Sequence, residues 1–473
     1  MIARQVRRGL AWSFAGNTVN GVGNVLLGIL LAHLLEPKDY GVFAVALLGL
    51  LLILSLNDVG LAATIVRWPG NLDRVAPTAT TIIAVASLLL YAGLFVLAPA
   101  MAAALNAPGA AGLLRVLGLG VVIDGLFAVP TVLLTRNFQQ DRRTWADVTG
   151  FAISAGVMIV LAIGGFGAWS LVWGRLVGNL ISGGLIWVLA PARYWPSFRA
   201  ADARELLRFG LPLAAASLLT LAIARVDYVV VGRILGPVSL GFYLLATNLS
   251  TWPVTLIFAA VRRVSLAGFS RLQQDMVALR SGYSRALALL MVVILPVSAL
   301  MAVLAIPLVT FLYGQRWSAA ATVLQFLALA GVLRMAFELT EDLLVAGGRP
   351  KTVMYLRVAW LGTLIPALSL GAWLGGLRGV GIGYLVDGLI VAPAFLWAAG
   401  QLRINRRQLG RLLTRPLIGA ALAAVTVLVI QHGVSGSFYQ LAAGGLAATA
   451  VYLVVVFPMR RLVGATRAGS AGA

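Results

Sequence analysis

The chain contains no cysteine and only two histidines. A disulfide framework and a thiolate metal site are therefore excluded, and imidazole has little part to play in ligation or proton transfer. Charge is scarce as well: 11% of the residues are Asp, Glu, Lys or Arg, against 61% hydrophobic. Soluble domains average roughly 25% charged residues, so the solvent for most of this protein is lipid. Acids are the scarcer sign, 15 against 36 Lys and Arg, for a formal charge of +21. The basic residues fall in short clusters between apolar runs rather than in one patch, which excludes nucleic acid as a partner. Also missing are a G-x-x-x-x-G-K-[ST] phosphate loop, a G-x-S-x-G nucleophile and an H-E-x-x-H zinc pair. The sequence reads as a non-enzymatic membrane protein without a cofactor. Any work it does draws on an Na⁺ or H⁺ gradient or on the substrate's own gradient.

What is present is a succession of long apolar runs: 10–34, 40–63, 78–98, 110–134, 146–165, 167–190, 208–232, 238–261, 284–311, 318–346, 352–374, 376–399, 415–431 and 437–458. Each is near the ~17–25 residues that cross a ~30 Å hydrocarbon core, and none alternates as a β-barrel strand does. Arg4, Arg7 and Arg8 lead straight into the first run, which reads as a span and not as a cleaved signal. Interior prolines such as Pro130, Pro296 and Pro366 are tolerated in membrane helices whose neighbours re-satisfy the backbone. With the N-terminus inside, 28 of the 36 basic residues fall on the cytoplasmic side. Only Lys38, Arg233, Arg316 and Arg378 fall opposite, and Arg115, Arg175, Arg225 and Arg334 lie within runs. That asymmetry predicts an all-α polytopic membrane protein of about fourteen helices with both termini cytoplasmic.

Two short turns suggest an internal repeat. His33-Leu34-Leu35-Glu36-Pro37-Lys38-Asp39-Tyr40-Gly41-Val42-Phe43 returns, 200 residues on, as Arg233-Ile234-Leu235-Gly236-Pro237-Val238-Ser239-Leu240-Gly241-Phe242-Tyr243. In each a Leu precedes a Pro by two positions and a Gly follows it by four. The expected organisation is a six-helix lobe over 1–195, a basic linker at 196–207, a second six-helix lobe over 208–399, and a basic loop, helices 13 and 14 and a short tail over 400–473. From Trp195 to Phe209, Arg199, Arg204 and Arg208 alternate with apolar residues, which reads as a linker lying near anionic headgroups or, alternatively, as a substrate-binding helix.

Charges inside spans cost several kcal/mol each unless paired or wetted, and so mark a cavity by default. Arg225 and Asp227 share a run without sharing a helical face. Arg334, Glu338, Glu341 and Asp342, at i, i+4, i+7 and i+8, share one face and read either as an internal salt bridge or as a coupling site. Asp58, Asp124 and Asp387 are lone acids, and Arg115 and Arg175 lone bases; Asp58 sits near loop arginines that would pair with it. Asn17, Asn20 and Asn24 form a polar stripe, suited either to helix–helix contact or to a cleft lining. The cleft candidates are thus Arg225, Arg175, Arg334, Arg115, Asn17, Asn20 and Asn24. The ion-coupling candidates are Glu338, Glu341, Asp342, Asp227, Asp124 and Asp387. Arginine in such numbers suits phosphate, because its donor fork matches phosphoryl oxygens and it remains charged at any working pH.

Three stretches carry a family resemblance: Gly9-Leu10-Ala11-Trp12-Ser13-Phe14-Ala15-Gly16-Asn17, Leu30 to Phe43 with Asn57-Asp58-Val59-Gly60-Leu61, and Arg225-Val226-Asp227-Tyr228 through Gly236. They resemble the polysaccharide and lipopolysaccharide biosynthesis flippases, the polysaccharide transport branch of the multidrug/oligosaccharidyl-lipid/polysaccharide exporter superfamily. The resemblance implies alternating-access transfer of an undecaprenyl-diphosphate-linked oligosaccharide to the outer leaflet of a bacterial inner membrane. It further implies a cationic cavity, membrane lipids as surroundings, and polymerase and export proteins of a polysaccharide pathway as partners. The alternatives left open are a drug or metabolite exporter of the same superfamily and a non-transporting scaffold of an envelope-polymer assembly complex.

Overall fold

The apolar runs fold as helices because lipid offers backbone N–H and C=O groups no partners, and a helix satisfies its own. The computed structural model describes residues 2–57, 61, 64, 65, 68, 72–271, 276–402, 404, 406–434 and 436–459. Asp58 lies outside these. The helices are α1 (Ile2–Leu34), α2 (Pro37–Asn57), α3 (Leu72–Ala104), α4 (Ala110–Leu117), α5 (Leu119–Arg136), α6 (Gln140–Ile163), α7 (Ala168–Leu189), α8 (Ala200–Arg271), α9 (Met276–Val303), α10 (Ala305–Tyr313), α11 (Ser318–Ala346), α12 (Pro350–Gln401), α13 (Arg406–Gly433) and α14 (Ser437–Val456).

Among the described residues twelve helical runs are long and apolar enough to cross a membrane. Two of them contain a break. In α8 the backbone leaves helical geometry at Gly236 (φ 78°), and Gly232 lies beside Leu240 across the turn. The break in α12 is at Gly375 and Gly376 (φ 56° at the latter). There Gly371 abuts Gly379 and Gly383 abuts Ala367, so α12 is an antiparallel hairpin. Counting each side of both breaks gives the fourteen segments predicted from the apolar runs. The protein is an all-α multi-pass membrane protein, and residues such as Val96, Trp373 and Leu446 present their side chains outward, as lipid-facing positions do.

The chain forms two compact units, Met1–Gly241 and Phe242–Ala473. In the first, α6 and α7 pair along their length, α1 lies on α6, and α5 packs between α3 and α7. Leu61, Ile65, Ala79, Ile83, Val129, Leu133 and Leu206 form one of its buried clusters. In the second, α11 packs on the α12 hairpin while α9 contacts both α11 and α13. One of its buried clusters gathers Leu287, Leu290, Ile294 and Leu339 around Phe337 and Phe395, which stack at 4.2 Å. The α13–α14 pair is tied to α9 by the Tyr452 hydroxyl, which donates to the Val292 carbonyl at 2.6 Å.

The turn at 33–43 is built from local chemistry. Pro37 opens α2, where no N–H is needed, and the Asp39 carboxylate reaches back to the Glu36 N–H at 3.1 Å. The other Asp39 oxygen accepts from the Ala168 N–H at 3.2 Å, so one side chain serves the first turns of both α2 and α7.

Candidate functional site

The first unit sets opposite charges on α5 and α7. Asp124 on α5 and Arg175 on α7 interact electrostatically. Asn179, one turn beyond Arg175, lies 3.5 Å from Asp124 Oδ1 through its amide nitrogen. Gly120, one turn before Asp124, lies against Leu176 and Asn179, which lets the two helices approach closely at this level. Asn57 of α2 donates to the Val121 carbonyl of α5 at 2.9 Å. Arg175 Nε and Asn57 Oδ1 are buried and make no hydrogen bond. A donor and an acceptor left open in a membrane-embedded polar cluster are groups that water or a ligand can complete.

Arg225 and Asp227 are separated in role, as their spacing requires. The Arg225 guanidinium lies over the Tyr228 ring, 5.1 Å from its centroid. That contact covers one face of the planar fork. Asp227 is buried and accepts from the Tyr228 N–H at 2.9 Å. Arg115 is committed to α3: its guanidinium stacks on Phe95 at 4.6 Å and its Nε donates to the Phe95 carbonyl at 3.1 Å. The asparagine stripe of α1 divides. Asn24 donates to the Asn20 carbonyl at 2.7 Å and is exposed with Asn17, whereas Asn20 Oδ1 is buried without a hydrogen bond.

In the second unit the α11 stripe is engaged by charges of its own and of α12. Arg334 pairs with Glu338 at 3.2 Å. Glu341, buried, receives the Arg357 fork of α12, with Nη2 at 2.8 Å from one oxygen and Nε at 3.2 Å from the other. Glu338 and Asp342 add to the negative field around Arg357. The structure thus brings Arg334, Glu338, Glu341 and Asp342 together and completes them with Arg357. Asp387, at 0% exposure, accepts from Trp360 Nε1 at 2.7 Å across the α12 hairpin. Thr363 faces the same carboxylate, but its hydroxyl donates to the Ala359 and Trp360 carbonyls, and Asp387 Oδ1 keeps no hydrogen bond.

Four contributors escape the sequence reading. Asn57 and Asn179 are neutral; the first figures in the sequence only within the family stretch at 57–61, and the second draws no attention in an apolar run. Trp360 reads as core, and Arg357 reads as one more cytoplasmic base. The available signal was its own placement: Arg357 lies well inside α12, where an unpaired guanidinium is costly.

These helices define a polytopic all-α membrane fold. The fold superposes on the lipid II flippase MurJ in its inward-closed conformation with a TM-score of 0.79, covering 96% of this chain and 100% of that one at 15% identity. An inward-facing multidrug resistance transporter of the MATE family superposes at 0.63, covering 81% and 95% at 21% identity. Within that fold the sequence matches the family described as polysaccharide biosynthesis protein over residues 30–322, and the chain belongs to it. Among relatives, the succinoglycan biosynthesis transport protein ExoT of Rhizobium meliloti (strain 1021) is 27% identical, covering 98% of this chain and 96% of its own. The lipopolysaccharide biosynthesis protein WzxC of Escherichia coli (strain K12) is 25% identical, covering 81% and 78%.

Proposed function

We propose that this protein translocates an undecaprenyl-diphosphate-linked oligosaccharide from the cytoplasmic to the outer leaflet of a bacterial inner membrane, supplying an exported polysaccharide. The carrying observation is Arg175, a guanidinium within a span whose buried Nε lacks a hydrogen bond although the charge of Asp124 acts on it. A diphosphate headgroup is the ligand such a donor suits, since it offers many acceptor oxygens and a formal charge that offsets arginine in a low-dielectric setting. Arg225, with its ring face covered by Tyr228, is the second contact we assign to the headgroup. The isoprenoid tail needs no site of comparable polarity, because it stays in lipid. Descriptions of the relatives, succinoglycan transport and lipopolysaccharide biosynthesis, support the glycan class.

Transport by alternating exposure of the bound headgroup to the two faces requires a driving force. Asp387 is the group we assign to ion coupling, because a carboxylate buried in a span with one open oxygen takes up a proton or cation more cheaply than it stays bare. The Glu338 and Glu341 carboxylates are already paired, the first with Arg334 within α11 and the second with Arg357 of α12. The test is accumulation of lipid-linked oligosaccharide on the cytoplasmic face in a depletion strain. Rescue by the intact chain but not by Arg175→Ala supports the reading; loss of polymer without accumulation contradicts it and favours a scaffold.

A further inference from the structure

We propose that the segment Arg193–Arg208 is a docking surface for anionic phospholipid headgroups of the cytoplasmic leaflet, with its orientation fixed by a clamp on α3. The segment leaves the end of α7, runs extended, and enters α8 at Ala200. Its inner side is bound at four places. Tyr194 donates to Asp73 Oδ1 at 2.5 Å, and the Ser197 N–H and carbonyl meet the Pro77 carbonyl and Thr81 hydroxyl at 3.3 and 2.7 Å. The Asp202 side chain, 2% exposed, receives Arg74 Nε and Nη2 at 2.9 and 2.6 Å. Leu206 is buried in the cluster with Leu61, Ile65 and Ala76.

That clamp dictates what faces outward. Asp202, Ala203, Leu206 and Gly210, at i, i+1, i+4 and i+8, are the buried face of this helical turn. Arg204, Glu205 and Arg208 lie on the opposite, exposed face, and Arg193 and Arg199 are exposed just before it. Four arginines therefore stand against one outward acid. Beside them, Trp195 and Phe198 are 75% and 63% exposed, far more than large aromatics normally are beside water. Trp187, at the end of the α7 span, meets the Trp195 ring edge to face at 6.0 Å and the Arg193 guanidinium at 6.0 Å. Aromatic rings at the level where a span ends, interleaved with arginines, match the boundary between acyl chains and headgroups. The basic-residue bias puts this boundary on the cytoplasmic side, whose anionic lipids attract such a surface. A protein partner is less suited to the site, because the exposed aromatics adjoin the span and would have to be withdrawn from lipid.

The chain's lack of cysteine makes the test direct. Ala201, exposed on the same turn, is replaced as Ala201→Cys and carries a single nitroxide label. Its collision rates with oxygen and with a water-soluble nickel complex are compared in phosphatidylcholine vesicles and in vesicles containing phosphatidylglycerol. The expected result is a shift of the label towards the oxygen-rich region when phosphatidylglycerol is present. Replacing Arg199, Arg204 and Arg208 together by Gln lowers that partitioning about a hundredfold, at roughly fivefold per arginine, whereas replacing them by Lys preserves it. An identical label environment in both lipids overturns the proposal, as does an unchanged response in the Gln variant. It is equally overturned by a response seen in phosphatidylcholine only after addition of a polyprenyl diphosphate, which would make the surface a substrate-capture site.

Discussion

Gly41 and Gly241, 200 residues apart in the chain, each lie against the backbone of the other's turn. The Pro237 carbonyl occupies the place a Cβ would take at Gly41, and the Pro37 carbonyl occupies the corresponding place at Gly241. The contact is reciprocal, which gives the repeated Pro and Gly of the two turns a common physical cause: two helix starts cross so closely that neither can carry a side chain. Gly41→Ala or Gly241→Ala forces backbone carbonyls apart, and overpacking of this kind costs about 1–3 kcal/mol. Either variant in detergent should melt several degrees lower by intrinsic tryptophan fluorescence, and an unchanged midpoint would show that the turns separate freely.

Glu341 and Arg357 form a two-point ion pair that couples α11 to α12. Glu341 is nearly buried, while 45% of the Arg357 side chain is exposed, so screening reduces the pair's worth. A double-mutant cycle with Glu341→Gln and Arg357→Gln should return a coupling of about 1 kcal/mol. Glu341→Gln alone should lower stability while leaving the dependence of transport on Na⁺ and H⁺ gradients unaltered. A change in that dependence would move the coupling role from Asp387 to the α11 stripe.

Asp387→Asn keeps an oxygen for the Trp360 N–H and should fold with near-wild-type stability. Asp387→Leu strands that donor and should cost about 1–3 kcal/mol. If Asp387 couples transport to an ion, the Asn variant loses gradient-driven accumulation but retains exchange down a substrate gradient. Wild-type gradient dependence in the folded Asn variant would exclude the role.

The sequence made the spans legible because an apolar run long enough to cross a bilayer has few alternatives, and Gly375-Gly376 marked the turn between two of them. Buried charges were legible as individual residues for the same reason. Their partners were not: Asp202 finds Arg74 across 128 positions, a contact that only packing brings about, and packing likewise brings Arg175 into the field of Asp124. The four-residue spacing of Arg334 and Glu338, in contrast, lies within one helix, and that pairing follows from periodicity alone. The amphipathic character of the 195–209 linker was visible, but which of its acids faces inward depended on α3.

The clamp on that linker has its own signature. Arg74→Gln leaves the buried Asp202 carboxylate without its cation, which should loosen the clamp. Hydrogen exchange of residues 197–206 should rise relative to the intact protein, and unchanged exchange would show that the Arg74–Asp202 pair does not hold the linker. Burial and the neighbouring Asp73 push the Tyr194 hydroxyl up from 10.0 to about 12. A raised folded value means this contribution is fully present below pH 10 and is lost as the pH rises towards 12. Exchange at the clamp should therefore report no loss of this contribution between neutral pH and pH 9, and Tyr194→Phe should remove the alkaline step. An alkaline step that persists in Tyr194→Phe would contradict the assignment.

The central claim, that open arginine donors carry a diphosphate headgroup across the membrane, is tested most directly in proteoliposomes containing a fluorescent undecaprenyl-diphosphate-linked oligosaccharide. Protection of the glycan from an external glycosidase is followed as a function of time. The intact protein should equilibrate the lipid between leaflets. Arg175→Lys and Arg225→Lys should slow it, and Arg175→Ala and Arg225→Ala, folded and reconstituted, should slow it further, by at least tenfold for the loss of one charge-assisted contact worth about 1.5–3 kcal/mol. Equal rates in the Ala variants and the intact protein, or translocation no faster than in protein-free vesicles, would contradict it.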